Sequence, residues 1–430
     1  LYTSINYEEF KMSKSINVPK LRFKEFSENY KKYKFEDIFS FSTGKNIKQN
    51  EASPNFDIPC VRYGELYHMY SEVINKVINK TNLDKSELTF SQGNEILLPS
   101  AGEDPLDIGS ASALKIANVA IGRTINILRP LSDNIYLPEY VSYLINTKLK
   151  KKISKLAKGV SISNVYNSDL KTLTLSLPSK QEQEKIALFL TSVDTKIEQL
   201  TKKEELLQQY KKGVMQKIFN QEIRFKADDG SEFCEWEEKT IDKLPILISD
   251  GNYGELYPTS DDFKPNGVPF LRANNIKNLK IDTSDTKYIS EEQHSTLTAG
   301  HLLTNDILIT TRGELGNLAL IENEHNGSNI NAQICLLRIT DTSKLNYLYL
   351  LYALDYRDSK KQYKAFETGT ALKQLPKGNL KKVKLKVPCL EEQTKIANFL
   401  SSTDNKIEQV QKQLNFIKEF KKALLHQMFV

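Results

Sequence analysis

Few side chains in this sequence stand at the spacings that catalysis or metal binding requires. His294 and His301 lie seven residues apart with no companion cysteine or carboxylate at ligand spacing, so no metal site is assigned. Cys60, Cys234, Cys335 and Cys389 are scattered singly, which fits neither a disulfide framework nor a paired-thiol knuckle and agrees with a reducing, cytoplasmic setting. Gly313-Glu314-Leu315-Gly316 is too short for a phosphate cradle, and no GxxxxGK loop occurs. Ser53-Pro54-Asn55-Phe56 lacks the second proline of the Pro-Pro-aromatic element that amino-methyltransferases carry. No catalytic residue is assigned, and this chain is expected to hold no cofactor. What remains are planar, multi-donor side chains placed after β-prone runs: Arg62 with Tyr63, Arg272 with Asn274 and Asn275, and Thr311 with Arg312.

The frame that positions them is large and charged. At 430 residues, with 39% hydrophobic and 27% charged residues, the chain has material for two globular cores of ordinary size. Its net charge of +6 permits phosphate binding without demanding it. No run of eighteen apolar residues occurs and no secretory leader is evident, so no membrane is expected. Met12 could be a natural start, leaving Leu1 to Lys11 as an upstream extension.

An internal repeat is the strongest signal. Leu177 to Phe219 aligns without a gap on Val387 to Phe429 at an offset of 210 residues, with about 18 of 43 positions identical. Fainter matches run upstream: Ile58 to Arg62 on Val268 to Arg272, Glu95 to Leu97 on Asp306 to Leu308, and Leu21 to Lys24 on Ile223 to Lys226. The halves are duplicates that have diverged between these anchors.

The repeated segment predicts a helix, because Ile186, Leu190, Val193, Ile197 and Leu200 recur at four-and-three spacing, as do Ile396, Leu400, Ile407, Val410 and Leu414. Ser179 with Glu182 reads as a capping box, although Cys389 replaces the serine in the second copy. A helix of about 40 residues spans roughly 60 Å, too long to lie on one small core, so it must find another helix. A long helix within an ordinary bundle is the alternative. Glu204, Lys211 and Lys421 interrupt the stripe, and Leu206 with Tyr210, or Phe416 with Phe420, shift it sideways. Upstream, β-prone runs at Asn94 to Leu98, Asn118 to Leu128, Asp306 to Thr311 and Ala332 to Thr340, with helical pieces at Glu139 to Ala157 and Lys344 to Phe366, predict a mixed α/β domain in each half. Lys171 to Leu177 and Lys381 to Val387 are the last β-prone runs before each long helix.

Two variable domains, each followed by a long helix opening Pro-x-x-x-Glu-Gln-x-Lys-Ile-Ala, resemble the specificity subunit of type I restriction-modification systems. The likeness rests on Leu177 to Leu190 with Asp194 to Gln199, and on Val387 to Leu400 with Asp404 to Gln409. It implies an α+β fold of two pseudo-symmetric copies, whose long helices pair as an antiparallel coiled coil. The expected divisions are an extension at 1–19, target recognition domains at 20–178 and 221–388, and conserved helices at 179–220 and 389–430. The family's globular parts each read half of a split double-stranded DNA target. Its helices hold them apart and carry partners. Two modification subunits would bring S-adenosylmethionine-dependent adenine N6 methylation, and two motor-nuclease subunits would bring ATP- and Mg-dependent translocation and cleavage. Ile186, Leu190, Ile197, Ile396, Leu400 and Ile407 mark the partner-binding helices.

On that reading Arg62, Tyr63, Arg272, Asn274, Asn275, Thr311 and Arg312 are candidate DNA contacts, since arginine can pair with guanine and asparagine with adenine. Arg62 and Arg272 are equivalent under the repeat, so a shared structural ion pair explains them about as well. The polar turns containing Ser161 and Ser163, and Lys373 and Gln374, are further candidates because they occupy related places yet differ. Lysine runs at Lys148 to Lys152, Lys360-Lys361 and Lys381-Lys382 could meet phosphates or simply be solvated faces. The rivals are a stand-alone DNA-binding regulator, which would need no partner, and an enzyme with an unrecognised site.

Overall fold

The computed structural model describes residues 10–12, 18–132, 134–159, 161–254 and 257–430. Most of the stretch read as an extension, 1–9 and 13–17, lies outside the described residues, while Phe10–Met12 pairs antiparallel with Leu21–Phe23. The chain divides into two compact units, residues 1–202 with 412–430 and residues 203–411. Each holds one α+β domain, the opening of the long helix that follows it, and the closing turns of the other long helix.

The long helices, hereafter the arms, are Lys180–Phe219 and Leu390–Met428. Their apolar stripes are used inside each unit. In the first unit Ile186, Leu190 and Val193 enter a core with Tyr140, Tyr143, Leu424, Met428 and Phe429. In the second, Ile396, Ala397 and Leu400 join Met215, Ile218, Phe219, Tyr349 and Tyr352. Full burial of each such leucine or isoleucine contributes about 1.5–3 kcal/mol, which is what holds so long a helix in place. Within the second unit Gln411 donates to Glu204 at 2.8 Å and Lys211 meets Asp404 at 2.6 Å. Position rises along one arm as it falls along the other, so these segments run antiparallel.

The globular domains are built from short strands. In the first unit a five-stranded sheet has the order Phe39–Thr43, Ile125–Pro130, Glu95–Pro99, Ser112–Leu114, Val73–Ile74. A four-stranded sheet follows the order Lys80–Thr81, Ile58–Val61, Ala117–Ile121, Phe90–Gln92. In the second unit the larger sheet runs Ile246–Asp250, Ile334–Ile339, Ile307–Thr310, Leu318–Leu320, and Val268–Leu271 is central to a three-stranded one. The pair Ile58–Val61 with Ala117–Ile121 is parallel, as is its counterpart Val268–Leu271 with Asn329–Ile330. Alternation of buried and outward residues is weak here because both faces of the large sheets are covered, as in the fully buried strand Glu95–Pro99.

Three local expectations are corrected. The run Asn118 to Leu128 is two strands in different sheets, because Thr124 takes φ 67° and the chain turns between them. The helical piece Lys344 to Phe366 breaks at Tyr356, which is extended (φ −65°, ψ 147°). The capping box at Ser179 is incomplete: the Glu182 N–H reaches the Ser179 hydroxyl at 3.4 Å, but the Glu182 carboxylate turns to Arg22. A carboxylate with no exposure needs a counter-charge more than it needs a cap.

Candidate nucleic-acid interface

The repeated motif residues fasten each arm to its domain. Arg22 donates through Nε and Nη2 to the two oxygens of Glu182, both at 2.7 Å, with 3% and 0% exposure for the two side chains. Arg224 does the same to Glu392 at 3.2 and 2.9 Å, and Trp236 Nε1 adds a bond at 2.9 Å. The neighbouring glutamine closes the joint. Gln183 accepts from the Leu137 N–H and donates to the Ile135 and Pro178 carbonyls. Gln393 repeats this with Asn346, Lys344 and Pro388. The Glu-Gln pair of the motif is thus a latch that satisfies backbone groups where the helix begins, with the charge neutralised from the domain's opening segment.

A second repeated joint binds arm to arm within each unit. Tyr143 donates to Asp194 at 2.5 Å, and Lys421 bridges Asp194 at 2.7 Å and Glu72 at 2.8 Å. In the other unit Tyr352 donates to Asp404 at 2.7 Å, and Lys211 meets the same carboxylate. Burial pushes the Asp194 carboxyl above the usual aspartate value. Burial also opposes the Lys421 charge, but Glu72 and Asp194 outweigh it and its pKa is raised. The lysines that interrupt the stripe in the sequence are therefore its paired cations.

The candidate reading residues fall in three places. Arg62 lies behind Ile58–Val61, its Nε 2.9 Å from Glu65, which also accepts from Asn79; Tyr63 beside it is exposed. Arg272 occupies the equivalent place and holds Asp285 at 2.7 Å. Asn274 donates to the same carboxylate at 3.2 Å, and Asn275 is buried, accepting from the Arg272 N–H and donating to the Asp282 carbonyl. Both arginines are thus engaged by acids.

The third place is one end of each large sheet. In the second unit the backbone joins Arg312 to Gln374 in an antiparallel bridge, next to Lys373, whose Nζ meets Glu367 at 2.7 Å. Thr311 is buried and donates to the Gln333 carbonyl. In the first unit Ala101 and Gly102 pair in the same way with Asn164 and Ser163; Ser163 is buried and Ser161 exposed. The two turns close on glycines with positive φ, Gly159 at 125° and Gly369 at 87°, where a Cβ would strike the Ile162 or Leu372 carbonyl.

Of the arm residues marked as partner-binding, Ile186, Leu190, Ile396, Leu400 and Ile407 are buried in their own units and Ile197 packs against that core. The large apolar side chains left exposed on the arms include Leu188, Leu206, Tyr210 and Phe416. Among the described residues no cluster of three or more His, Cys, Asp or Glu could hold a metal ion, and no helix is long and apolar enough to cross a membrane. His294 and His301 touch at 3.2 Å, and burial lowers the His294 pKa.

The repeated Leu-Arg-Phe-Lys and Ile-Arg-Phe-Lys openings, to which the sequence alone gives no role, supply the two latch arginines. The signal was an arginine and a glutamate that recur together in both halves.

The model of the family described as Type I restriction modification DNA specificity domain matches this chain twice, over residues 27–208 and 235–419. The type I restriction enzyme MjaVIII specificity subunit of Methanocaldococcus jannaschii is 26% identical over 366 residues, covering 82% of this chain and 81% of that protein. The crystal structure of the type I restriction-modification system S subunit from M. genitalium shares the fold, with a TM-score of 0.65 at 19% identity over 96% of this chain and 99% of that one. A chain from a structure addressing complex assembly and conformational transition of the type I R-M system has a TM-score of 0.50 at 15% identity, over 94% and 98%. With two matched domains and a latch repeated residue for residue, the chain belongs to the specificity subunits of type I restriction-modification systems, and carries two DNA-recognition domains.

Proposed function

We propose that this chain is the non-catalytic subunit that selects the DNA address of a type I complex in the cytoplasm, each domain reading one half of a bipartite double-stranded target. The observation that carries the reading is a contrast. Latch and arm residues repeat between the halves, whereas the sheet ends carry unlike side chains. Equivalent joints suit equivalent copies of one partner, and unlike ends suit two different half-sites. Paired arms would keep the half-sites a fixed distance apart, and two modification and two motor-nuclease subunits would supply S-adenosylmethionine, ATP and Mg chemistry. Leu206, Tyr210 and Phe416 are exposed, with half-buried Phe420 stacked beside Phe416 at the position equivalent to Tyr210, and they give such partners an apolar face on each arm.

The test is to express the chain with and without the cognate methyltransferase subunit and map methylated adenines genome-wide. A split motif should appear only when both are present. Methylation or cleavage by the chain alone would establish the enzyme reading, and tight site-specific binding indifferent to any partner would establish the stand-alone regulator.

A further inference from the structure

Seven of the nine arginines in the sequence hold a carboxylate. Among the described residues Arg123 and Arg312 have no acidic partner. One solvated arginine would mean little, but these two fall one per half and beside the same feature of the fold. In the first unit the Ser100 N–H donates to the Thr124 carbonyl at 2.8 Å, and Arg123 immediately precedes Thr124. In the second, the Thr311 N–H donates to the Gln333 carbonyl at 2.8 Å, and Arg312 immediately follows Thr311. The bond is equivalent in the two halves. The arginine flanks it on opposite strand connections, with Ala101 standing in the first half where Arg312 stands in the second.

We propose that Arg123 and Arg312 are the base-reading arginines of the two half-sites, each working from the same end of its large sheet. The proposal rests on the DNA-reading role proposed above and deepens it. The surroundings favour an anionic, flat ligand. Arg312 lies over the Tyr253 ring at 5.1 Å and its Nη2 reaches that hydroxyl at 3.4 Å, which leaves most of its donors unspent. Arg123 is exposed, and its backbone N–H binds the Asn46 carbonyl, next to exposed Lys45. The glycine-closed turn pairs with the Arg312 connection in the second unit and with Ala101 and Gly102 in the first, and each turn carries an apolar side chain turned to solvent: Ile162 is 58% exposed and Leu372 76%. Exposed aliphatic side chains recur at matching places in otherwise divergent halves, and a DNA groove offers thymine methyl groups and base-step edges that such side chains contact. The planar guanidinium of each arginine, stacked over Tyr253 in the second half and free of carboxylates in both, is the two-pronged donor that guanine O6 and N7 accept. Because the arginine stands on a different connection in each half, the guanine should sit at a different place in each half-site.

The test uses the full chain in complex with its methyltransferase subunit, selecting bound duplexes from a library randomised over the target. Arg312→Ala should lower the preference for guanine at one position of one half-site roughly tenfold to a hundredfold, leaving the other half intact. Arg123→Ala should do the same in the other half. Arg312→Lys and Arg123→Lys keep the charge but lose the planar fork, and should relax the same positions. Variants that select the parental motif unchanged, that weaken all sequences equally, or lysine variants that keep full guanine preference would each overturn the assignment. A wild-type complex that selects no split motif would overturn the DNA-reading role and this proposal with it. Intact wild-type selection with unaltered variants overturns this proposal alone.

Discussion

Arg22→Ala is expected to destabilise the first unit by about 3–5 kcal/mol, the usual cost of stranding one member of a buried ion pair. Glu182 has no exposure and takes both short bonds from Arg22, so the alanine variant leaves a carboxylate in the core with only the Tyr30 hydroxyl, 3.2 Å away, to hold it. Arg224→Ala breaks the matching joint but should cost less. Arg224 is already 16% exposed, its bonds to Glu392 are longer, and the Trp236 N–H stays on that carboxylate. Urea unfolding followed by circular dichroism measures both. A loss below about 1 kcal/mol for Arg22→Ala would show that the latch does not fasten arm to domain.

Lys421→Ala is expected to cost about 2–3 kcal/mol, somewhat less than a fully buried pair because its partners keep 14–16% exposure. It also carries a pH signature. Lys421 has its pKa raised in the fold, so its contribution is complete below the ordinary lysine value of about 10.4 and lost only as pH rises through the higher folded value. Neutral solutions therefore show its full effect. Without it, Asp194 and Glu72 face each other with the Asp194 carboxyl already raised by burial, so the folded variant binds protons more readily than the unfolded chain. Its stability should then climb as pH falls from 7 toward the ordinary carboxylate range, where the parent gains less. A variant with the parent's pH slope would contradict the network. Thermal melts across that range decide it.

The arms were legible because burial imposes a spacing that duplication preserved: Ile186, Leu190 and Leu400 stand where periodicity put them. The joints were not. Arg22 and Glu182 are 160 residues apart, and nothing local tells a capping glutamate from one that is buried against an arginine. Lys211 and Lys421 looked like flaws in the stripe, since pattern alone does not reveal that Asp404 and Asp194 stand opposite. Arg123 escaped notice for a related reason. Its run reads as one continuous strand, since Gly122 inside it is not distinctive by itself, and only the turn at Thr124, whose φ is positive, lifts the arginine to the surface. The sheet ends carry no periodicity at all, so their residues could be chosen by type but not by neighbourhood.

In the proposed function, two unlike readers sit on equivalent arms. Replacing the segment from Leu21 to Leu175 with that of a relative of different target, and mapping methylated adenines in cells that also carry the methyltransferase subunit, tests it most directly. One half of the split motif should change while the other half and the unread gap stay as they were. A change in both halves, or in neither, would contradict it.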